Sequence, residues 1–265
     1  MNTNTLLILL VTIFIYLTPL QVAAQPQPIK ITPEPGFTIT WDGNDGGFFD
    51  QAVPDNLALS GPGAMAFASS EFGTAGTRNL GFHLTENLND GQYGNNKGWI
   101  PNDDTDPIDT ERQAGILYNQ LVSISAIAFG RDNGNPAGDG SFTDRSVGTY
   151  IIEFTTDTSG DESQRTWQKL GEIEKTDTAG DNQPGGSYDA FHRHQFEISN
   201  ADFGGADLQA AGIRLTVPDT NGSSDGGGAA IDELEIIGSI PNPADFTVTA
   251  EGIVTCDDAA VGELG

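Results

Sequence analysis

Residues 121–130 read LVSISAIAFG, a run in which apolar side chains alternate with small ones and which ends in glycine. Short alternating runs bounded by Gly, Asn, Asp or Pro are typical of β-strands joined by turns. Runs of this kind recur along most of the chain, and each predicts a further strand: 37–41, 65–68, 80–84, 149–155, 167–173, 192–198, 211–217 and 230–237.

Helical periodicity is scarce by comparison. Only short turns of helix are expected, over residues 110–117 and 206–210. The 34 glycines and 14 prolines are spread throughout the chain, as expected for many strand connections. The pattern therefore predicts an all-β fold, an antiparallel β-sandwich of the jelly-roll type.

The N-terminal residues 1–24 have the form of a signal peptide. An apolar run over 6–20 is followed by small residues at Val22-Ala23-Ala24, although residues 1–5 contain no Lys or Arg. The alternative is an uncleaved membrane anchor, but the run is shorter than the roughly 20 residues that a spanning helix needs. We therefore expect an exported protein, secreted, periplasmic or at the cell surface, that does not insert into a membrane after cleavage.

The rest of the chain divides at two proline-containing segments. Residues 25–36 hold four prolines and are expected to form an extended leader. Residues 37–239 then form one β-sandwich domain, and residues 240–265 form a linker and the start of a possible second module. The alternating pattern that begins at Phe246 could instead be an edge strand of the same domain.

The charge of the chain is strongly negative, with 38 acidic and 11 basic residues and a net charge of −27. Such a surface repels phosphate backbones, which argues against nucleic acid as a partner. The acidic residues serve solubility, and some of them could hold a hard cation such as calcium. The single cysteine, Cys256, leaves no internal disulfide and is given no catalytic role.

Three segments, at residues 88–100, 124–153 and 212–236, carry a family resemblance. The first holds LNDG at 88–91 and GWI at 98–100, the second FGRDN at 129–133, and the third GIRLTV at 212–217 and AIDELEI at 230–236. In order and spacing they resemble the discoidin domain, also called the coagulation-factor-five/eight C-type domain, of the galactose-binding-like superfamily. The resemblance implies a jelly roll that binds sugars, glycoproteins or lipids through loops at one end. Animal members carry a disulfide that this chain cannot form.

The Asp90-Gly91 pair predicts a tight turn, because glycine tolerates backbone conformations that other residues avoid. Asp and Asn oxygens in such a loop suit a hard cation. The resemblance implies that Asp90 and Glu233, with oxygens near Asn95, ligate a structural calcium ion. The residues alone leave another interpretation open, an Asx-type turn beside a surface glutamate.

Five residues are candidate ligand contacts. Phe48, Phe49 and Tyr93 are expected to be exposed aromatics that stack on a sugar ring, and His192 and His194 to share one face of a strand. The histidine pair could contact a sugar or, with a third ligand, bind a metal. Trp99 is expected to pack in the core, with a sugar platform as the alternative.

Catalytic signatures are weak. The sequence has neither the Gly-x-Ser-x-Gly elbow of serine hydrolases nor a phosphate-binding loop. A pair of carboxylates for glycoside hydrolysis can always be found among so many acids. The sequence therefore favours a non-catalytic module that binds carbohydrate or glycoprotein, with adhesion without a small ligand as the alternative. A polysaccharide lyase or hydrolase is less favoured, and the chain could be the accessory module of a longer enzyme.

Overall fold

The computed structural model describes residues 28–43, 53, 55–72, 83–93, 98–102, 109–131, 145–176, 182–183, 186–187, 191–218, 229–241, 246–248 and 254–256. Within these ranges the chain is built almost wholly from antiparallel strands, with a few short helices. The strands are β1 (Ile29–Pro33), β2 (Phe37–Thr40), β3 (Met65–Ala68), β4 (Gln113–Gly130), β5 (Gly148–Thr155), β6 (Gln168–Lys175), β7 (Asn182–Gln183), β8 (Gly186–Ser187), β9 (His194–Asn200), β10 (Leu208–Thr216), β11 (Glu233–Ser239), β12 (Phe246–Val248) and β13 (Val254–Cys256). The helical elements are one α-helical turn, α1 (Leu57–Ser60), and 3-10 turns at Thr85–Asn89, Glu162–Gln164 and Ala201–Phe203.

The predicted all-β antiparallel fold is confirmed, whereas both predicted helical turns are wrong. Residues 113–117 belong to β4, and residues 208–210 belong to β10. The start of β4 is paired on both edges, with β3 and with β10. These ladder hydrogen bonds override a weak local preference for helix, which tertiary pairing commonly does.

Strand β4, 18 residues long, belongs to both layers of the sandwich. Its first half lies between β3 and β10, and the layer continues through β5 and β6 to β1. Its second half lies between β11 and β9, and that layer ends at β2. We call these the first layer and the second layer. One strand thus joins the two faces that enclose the core.

The pairing of β4 with β10 is interrupted by a bulge. Ala210 pairs with Val122, but Gly212 pairs with Leu117, so that residues 118–121 bulge out of the ladder. The guanidinium of Arg165 lies at this point and donates hydrogen bonds to the carbonyl oxygens of Tyr118 (3.2 Å) and Ala211 (2.8 Å). A side chain therefore supplies the partners that the interrupted ladder does not.

Aromatic side chains fill the space between the layers. Phe129 of the second layer lies 5.0 Å from the ring of Tyr150 in the first layer and 5.5 Å from that of Phe196. The buried Lys175 places its Nζ 4.3 Å from the centre of the Phe129 ring. Such contacts add a geometrically specific attraction to the burial of apolar surface.

The nine-stranded sheet begins at Ile29, inside the segment expected to be a leader. Strand β1 pairs with β6 from Ile29 opposite Lys175 to Pro33 opposite Gly171. Because β1 is an edge strand, the missing amide of Pro33 is tolerated there. Strands β12 and β13 pair with each other in a two-stranded sheet of their own.

The predicted signal peptide, residues 1–24, lies outside the described residues. Among the residues that are described, no helix has both the length and the apolar character required to cross a membrane.

Candidate functional site

The predicted calcium ligands Asp90 and Glu233 come together in the structure. The 3-10 turn Thr85–Asn89 ends at Asp90, and Gly91 then adopts a left-handed φ of 83°. This turn directs the amide of Gly91 toward the start of β11, where it donates a hydrogen bond of 2.9 Å to Oε2 of Glu233. Asn95, the third predicted ligand, lies outside the described residues.

Glu233 is fully buried, so the alternative interpretation of a surface glutamate is wrong. Its Oε1 accepts a hydrogen bond of 3.1 Å from Nδ2 of Asn56. Oδ1 of Asn56 in turn accepts from the main-chain amides of Ala58 and Ile236, both at 2.9 Å. Asn56 thus links helix α1 and strand β11 to the carboxylate, which explains why this polar cluster is tolerated inside the molecule.

The environment of Glu233 favours the protonated form when no cation is present. Burial is the largest cause and raises the pKa of this carboxyl to about 9, although the hydrogen bond from Gly91 opposes it. Repulsion from Asp90 and Glu235 adds to the increase, and the hydrogen bond from Asn56 opposes it. A buried carboxyl beside two further acids is a place where a divalent cation would relieve both desolvation and repulsion.

Asp90 forms the Asx turn that the sequence left as an alternative. Its Oδ1 accepts a hydrogen bond of 2.9 Å from the amide of Gln92. A carboxylate has further lone pairs besides the one that this turn uses. No group of three or more His, Cys, Asp or Glu side chains suited to a metal occurs among the described residues. Among the described residues, oxygens beyond those of Asp90 and Glu233 would come from the main chain or from amide side chains, which suit calcium.

The two candidate histidines are buried and do not form an exposed face. His192 and His194 have 4% and 0% of their surface exposed. The His194 ring lies 5.9 Å from that of Trp41, and the His192 ring lies 4.4 Å from that of Phe191. The expectation of a solvent-facing pair is therefore wrong, and the contact of either residue with a sugar stays a prediction.

Arg193, between the two histidines, carries a buried ion pair. Its guanidinium contacts both carboxylate oxygens of Glu235 on the neighbouring β11, with distances of 3.1 Å from Nε and 2.5 Å from NH2. Both side chains are almost completely buried. Such bidentate pairs have a defined geometry, so this one fixes β9 and β11 relative to each other.

Tyr93 was expected to be exposed, and this prediction is also wrong, since only 3% of its surface is accessible. The turn at Gly91 brings Tyr93 back toward the Arg193–Glu235 pair. Burial, followed by the charge of Glu235, raises its pKa well above the ordinary value. Phe48 and Phe49 lie outside the described residues.

Trp99 lies in the core, as predicted. It is fully buried, its main chain forms a bridge with Ile231, and its Nε1 donates a hydrogen bond of 2.8 Å to the carbonyl oxygen of Ser70. The third histidine, His83, is half-buried, and its Nδ1 lies 2.7 Å from the carbonyl oxygen of Gly98. Both residues therefore help to position the segment 98–102.

A groove on the outer face of the first layer was not predicted from the sequence. It has a volume of about 410 Å³ and lies where β3, β10 and the segment before β6 meet. Trp167 forms its apolar wall, with the Phe67 ring at 5.8 Å and the guanidinium of Arg214 at 4.5 Å from the indole ring. Trp167 begins a run that was predicted as a strand, but nothing local indicates which residues lie beside it.

No family model matches the sequence, and no curated protein matches it. Solved structures that match the chain include CpGH89CBM32-5 from Clostridium perfringens in complex with GalNAc-β-1,3-galactose, at 14% identity and a TM-score of 0.38 over 66% of this chain and 94% of that one. CBM32-3 from a family 31 glycoside hydrolase of the same organism matches at 16% identity and a TM-score of 0.43, over 70% of this chain and 96% of that one. Chitosan-binding module 2 of a chitosanase/glucanase from Paenibacillus sp. IK-5, in complex with chitotriose, matches at 17% identity and a TM-score of 0.40. The match covers 69% of this chain and 100% of that one.

Proposed function

We propose that this chain is an exported, non-catalytic carbohydrate-binding module of the discoidin kind, stabilised by calcium. The observation that carries the proposal is the contact between the Asp90-Gly91 turn and Glu233, two parts of the chain 142 positions apart. The family resemblance implies this contact, whereas no local sequence relationship requires it. The resemblance, in turn, implies a jelly roll that presents sugar-binding loops at one end.

Calcium fits the chemistry of the contact. The two carboxylates supply hard oxygen ligands, and the Gly91 turn holds one of them beside the other. A bound cation would favour the ionised form of Glu233, which burial and neighbouring acids disfavour. It would also anchor the turn after residues 85–89 to β11 and so reduce the freedom of the adjoining loop.

The chemical environment of the acids supports binding in preference to catalysis. A glycosidase needs a carboxyl of raised pKa that reaches the substrate from an open cleft. Glu233, the described carboxyl whose pKa is raised to about 9, is fully buried and bonded to Asn56 and Gly91. It is therefore placed to stabilise the fold and not to donate a proton to a sugar.

A glycan array probed with the purified chain in calcium tests the binding proposal. We expect a restricted set of neutral oligosaccharides to bind. A blank array across diverse polysaccharides would contradict the proposal and would favour adhesion without a small ligand.

A thermal scan with calcium and with chelator tests the cation site separately. We expect calcium to raise the melting temperature of the wild type, and the variants Asp90→Asn and Glu233→Gln to lose most of that increase. Glu86→Gln is the matched control, since Glu86 is exposed in the 3-10 turn that precedes Asp90. An equal increase in all four proteins, or none in the wild type, would contradict calcium binding at this contact.

A further inference from the structure

We propose that the groove on the outer face of the first layer is a second saccharide-binding site, separate from the loop end. The inference deepens the proposed function, on which it rests for the class of ligand. The observation behind it is the set of aromatic and polar side chains that converge on the groove: Phe67, Gln113, Glu162, Arg165, Trp167 and Arg214.

The groove has the size of a site for a small ligand. Its volume of about 410 Å³ falls within the roughly 300–1,000 Å³ typical of such sites. It is lined from β3, β4 and β10, which are paired strands of one layer, and from the 3-10 turn Glu162–Gln164. Phe67, Gln113 and Arg214 are held by these paired strands, so this part of the groove is ordered before a ligand binds.

The indole of Trp167 gives the groove an apolar wall that is held in place. The Arg214 guanidinium lies over the ring, and Nε1 of Trp167 donates a hydrogen bond of 3.0 Å to the carbonyl oxygen of Glu162. Trp167 is nevertheless only half-buried and lines the groove. A rigid aromatic surface beside hydrogen-bonding groups is suited to a sugar ring, which has apolar C–H faces and a polar edge.

The two arginines of the groove are already engaged by the protein. Arg214 donates to Glu153 at 2.6 Å and to Oε1 of Gln113 at 3.1 Å. Arg165 donates to the carbonyl oxygens of Tyr118 and Ala211 at the bulge of β4. The positions of both guanidiniums are therefore fixed before any ligand binds. In the groove they present mainly the polar edges of their guanidinium planes to a ligand.

The charges around the groove favour a neutral ligand. Glu111 is exposed at the rim and Glu162 is half-buried in the wall, and together they oppose the two guanidiniums. The chain as a whole carries a net charge of −27, which disfavours phosphorylated, sulfated or acidic polymers. Exposed Ser163 adds a hydroxyl that can donate or accept. A neutral oligosaccharide meets these conditions.

Two variants test the site. Trp167→Ala removes the apolar wall, and Ser163→Leu narrows the groove from an exposed position where the fold tolerates a larger side chain. Phe203→Ala is the matched control, because Phe203 is an aromatic residue with 55% of its surface exposed that does not line the groove. Thermal unfolding of each variant confirms that the sandwich is intact.

The readout is calorimetric titration with an oligosaccharide that binds the wild type on the array. We expect both groove variants to lose one bound saccharide per chain or to bind at least tenfold more weakly, with Phe203→Ala unchanged. Unchanged stoichiometry and affinity in Ser163→Leu would overturn the second site while leaving the proposed function standing, even if Trp167→Ala failed to fold. A wild-type array without any binding would overturn both.

Discussion

The main-chain amide of Gly91 donates a hydrogen bond of 2.9 Å to the carboxylate of Glu233, and this contact ties an early loop to the last strand of the sandwich. Gly91 has a left-handed φ of 83°, a conformation that is costly for residues with a Cβ. The turn therefore depends on glycine, and the glutamate is buried because the turn and Asn56 together satisfy both of its oxygens.

Without calcium, the free energy of unfolding should fall as the pH rises from about 5 to 8. In the unfolded chain Glu233 loses its proton near its ordinary pKa of 4.5, whereas the folded protein holds it until about 9. The folded state thus binds more protons in this window, which costs about 1.4 kcal/mol of stability per pH unit. Urea denaturation in chelator at each pH measures the slope.

Glu233→Gln is the control for this slope, since an amide does not titrate.

The pKa of Asp109 shifts in the opposite direction from that of Glu233. Burial raises its pKa, but the hydrogen bonds from Ser69, Ser70 and the amides of Arg112 and Glu111 together outweigh burial and hold the pKa below the ordinary 3.8. Its contribution is therefore lost only in more acidic solution, below the window tested. The same pH slope in Glu233→Gln and in the wild type would show that other groups are responsible.

Asn56→Ala should destabilise the protein by roughly 2–6 kcal/mol, since each of two buried amides left without a partner costs about 1–3 kcal/mol. The buried amides of Ala58 and Ile236 would both lose the oxygen that they bond. Asn200→Ala is matched in residue type and in its role as the N-cap of a short helical turn, but the 3-10 turn that it caps is exposed. We expect it to cost about 1 kcal/mol. Equal losses in chemical denaturation would contradict a special role for Asn56.

The buried pair Arg193–Glu235 should behave differently from an exposed one. Removing one partner, as in Glu235→Gln or Arg193→Met, should cost about 3–5 kcal/mol because an uncompensated charge or donor remains buried. The double variant Arg193→Met with Glu235→Leu should lose much less than the sum of the single losses. The exposed pair Lys30–Glu174 is the control and should couple by less than about 1 kcal/mol in the same cycle. Additive losses at Arg193–Glu235 would contradict the prediction.

Arg165→Ala should lower the stability by about 1–3 kcal/mol, because the carbonyl oxygens of Tyr118 and Ala211 lose their donors at the bulge of β4. The stability of Arg165→Lys should lie between that of the wild type and that of Arg165→Ala. A lysine ammonium can reach one of the two carbonyl oxygens, but it lacks the planar guanidinium that bonds both. Urea denaturation measures both. An alanine variant within about 0.5 kcal/mol of the wild type would mean that water satisfies these carbonyls equally well.

Much of the strand pattern could be predicted, and its errors have a common cause. The alternation at 37–41, 65–68 and 149–155 closely matches β2, β3 and β5. The sequence predicts a helical turn over residues 110–117 because nothing local reveals that β3 and β10 pair on either side of the strand there. The family resemblance placed Asp90 near Glu233, which periodicity alone could not do.

The sequence by itself determined the all-β fold, the acidic surface and many of the strand positions, because alternation, turn residues and charge are local properties that survive without tertiary contacts. Only the tertiary structure decided that His192, His194 and Tyr93 are buried. It alone also placed Trp167 beneath Arg214 at the side of an open groove. The physical reason is that alternation shows which side chains share a face of a strand, whereas the packing of other layers and loops determines whether solvent reaches that face.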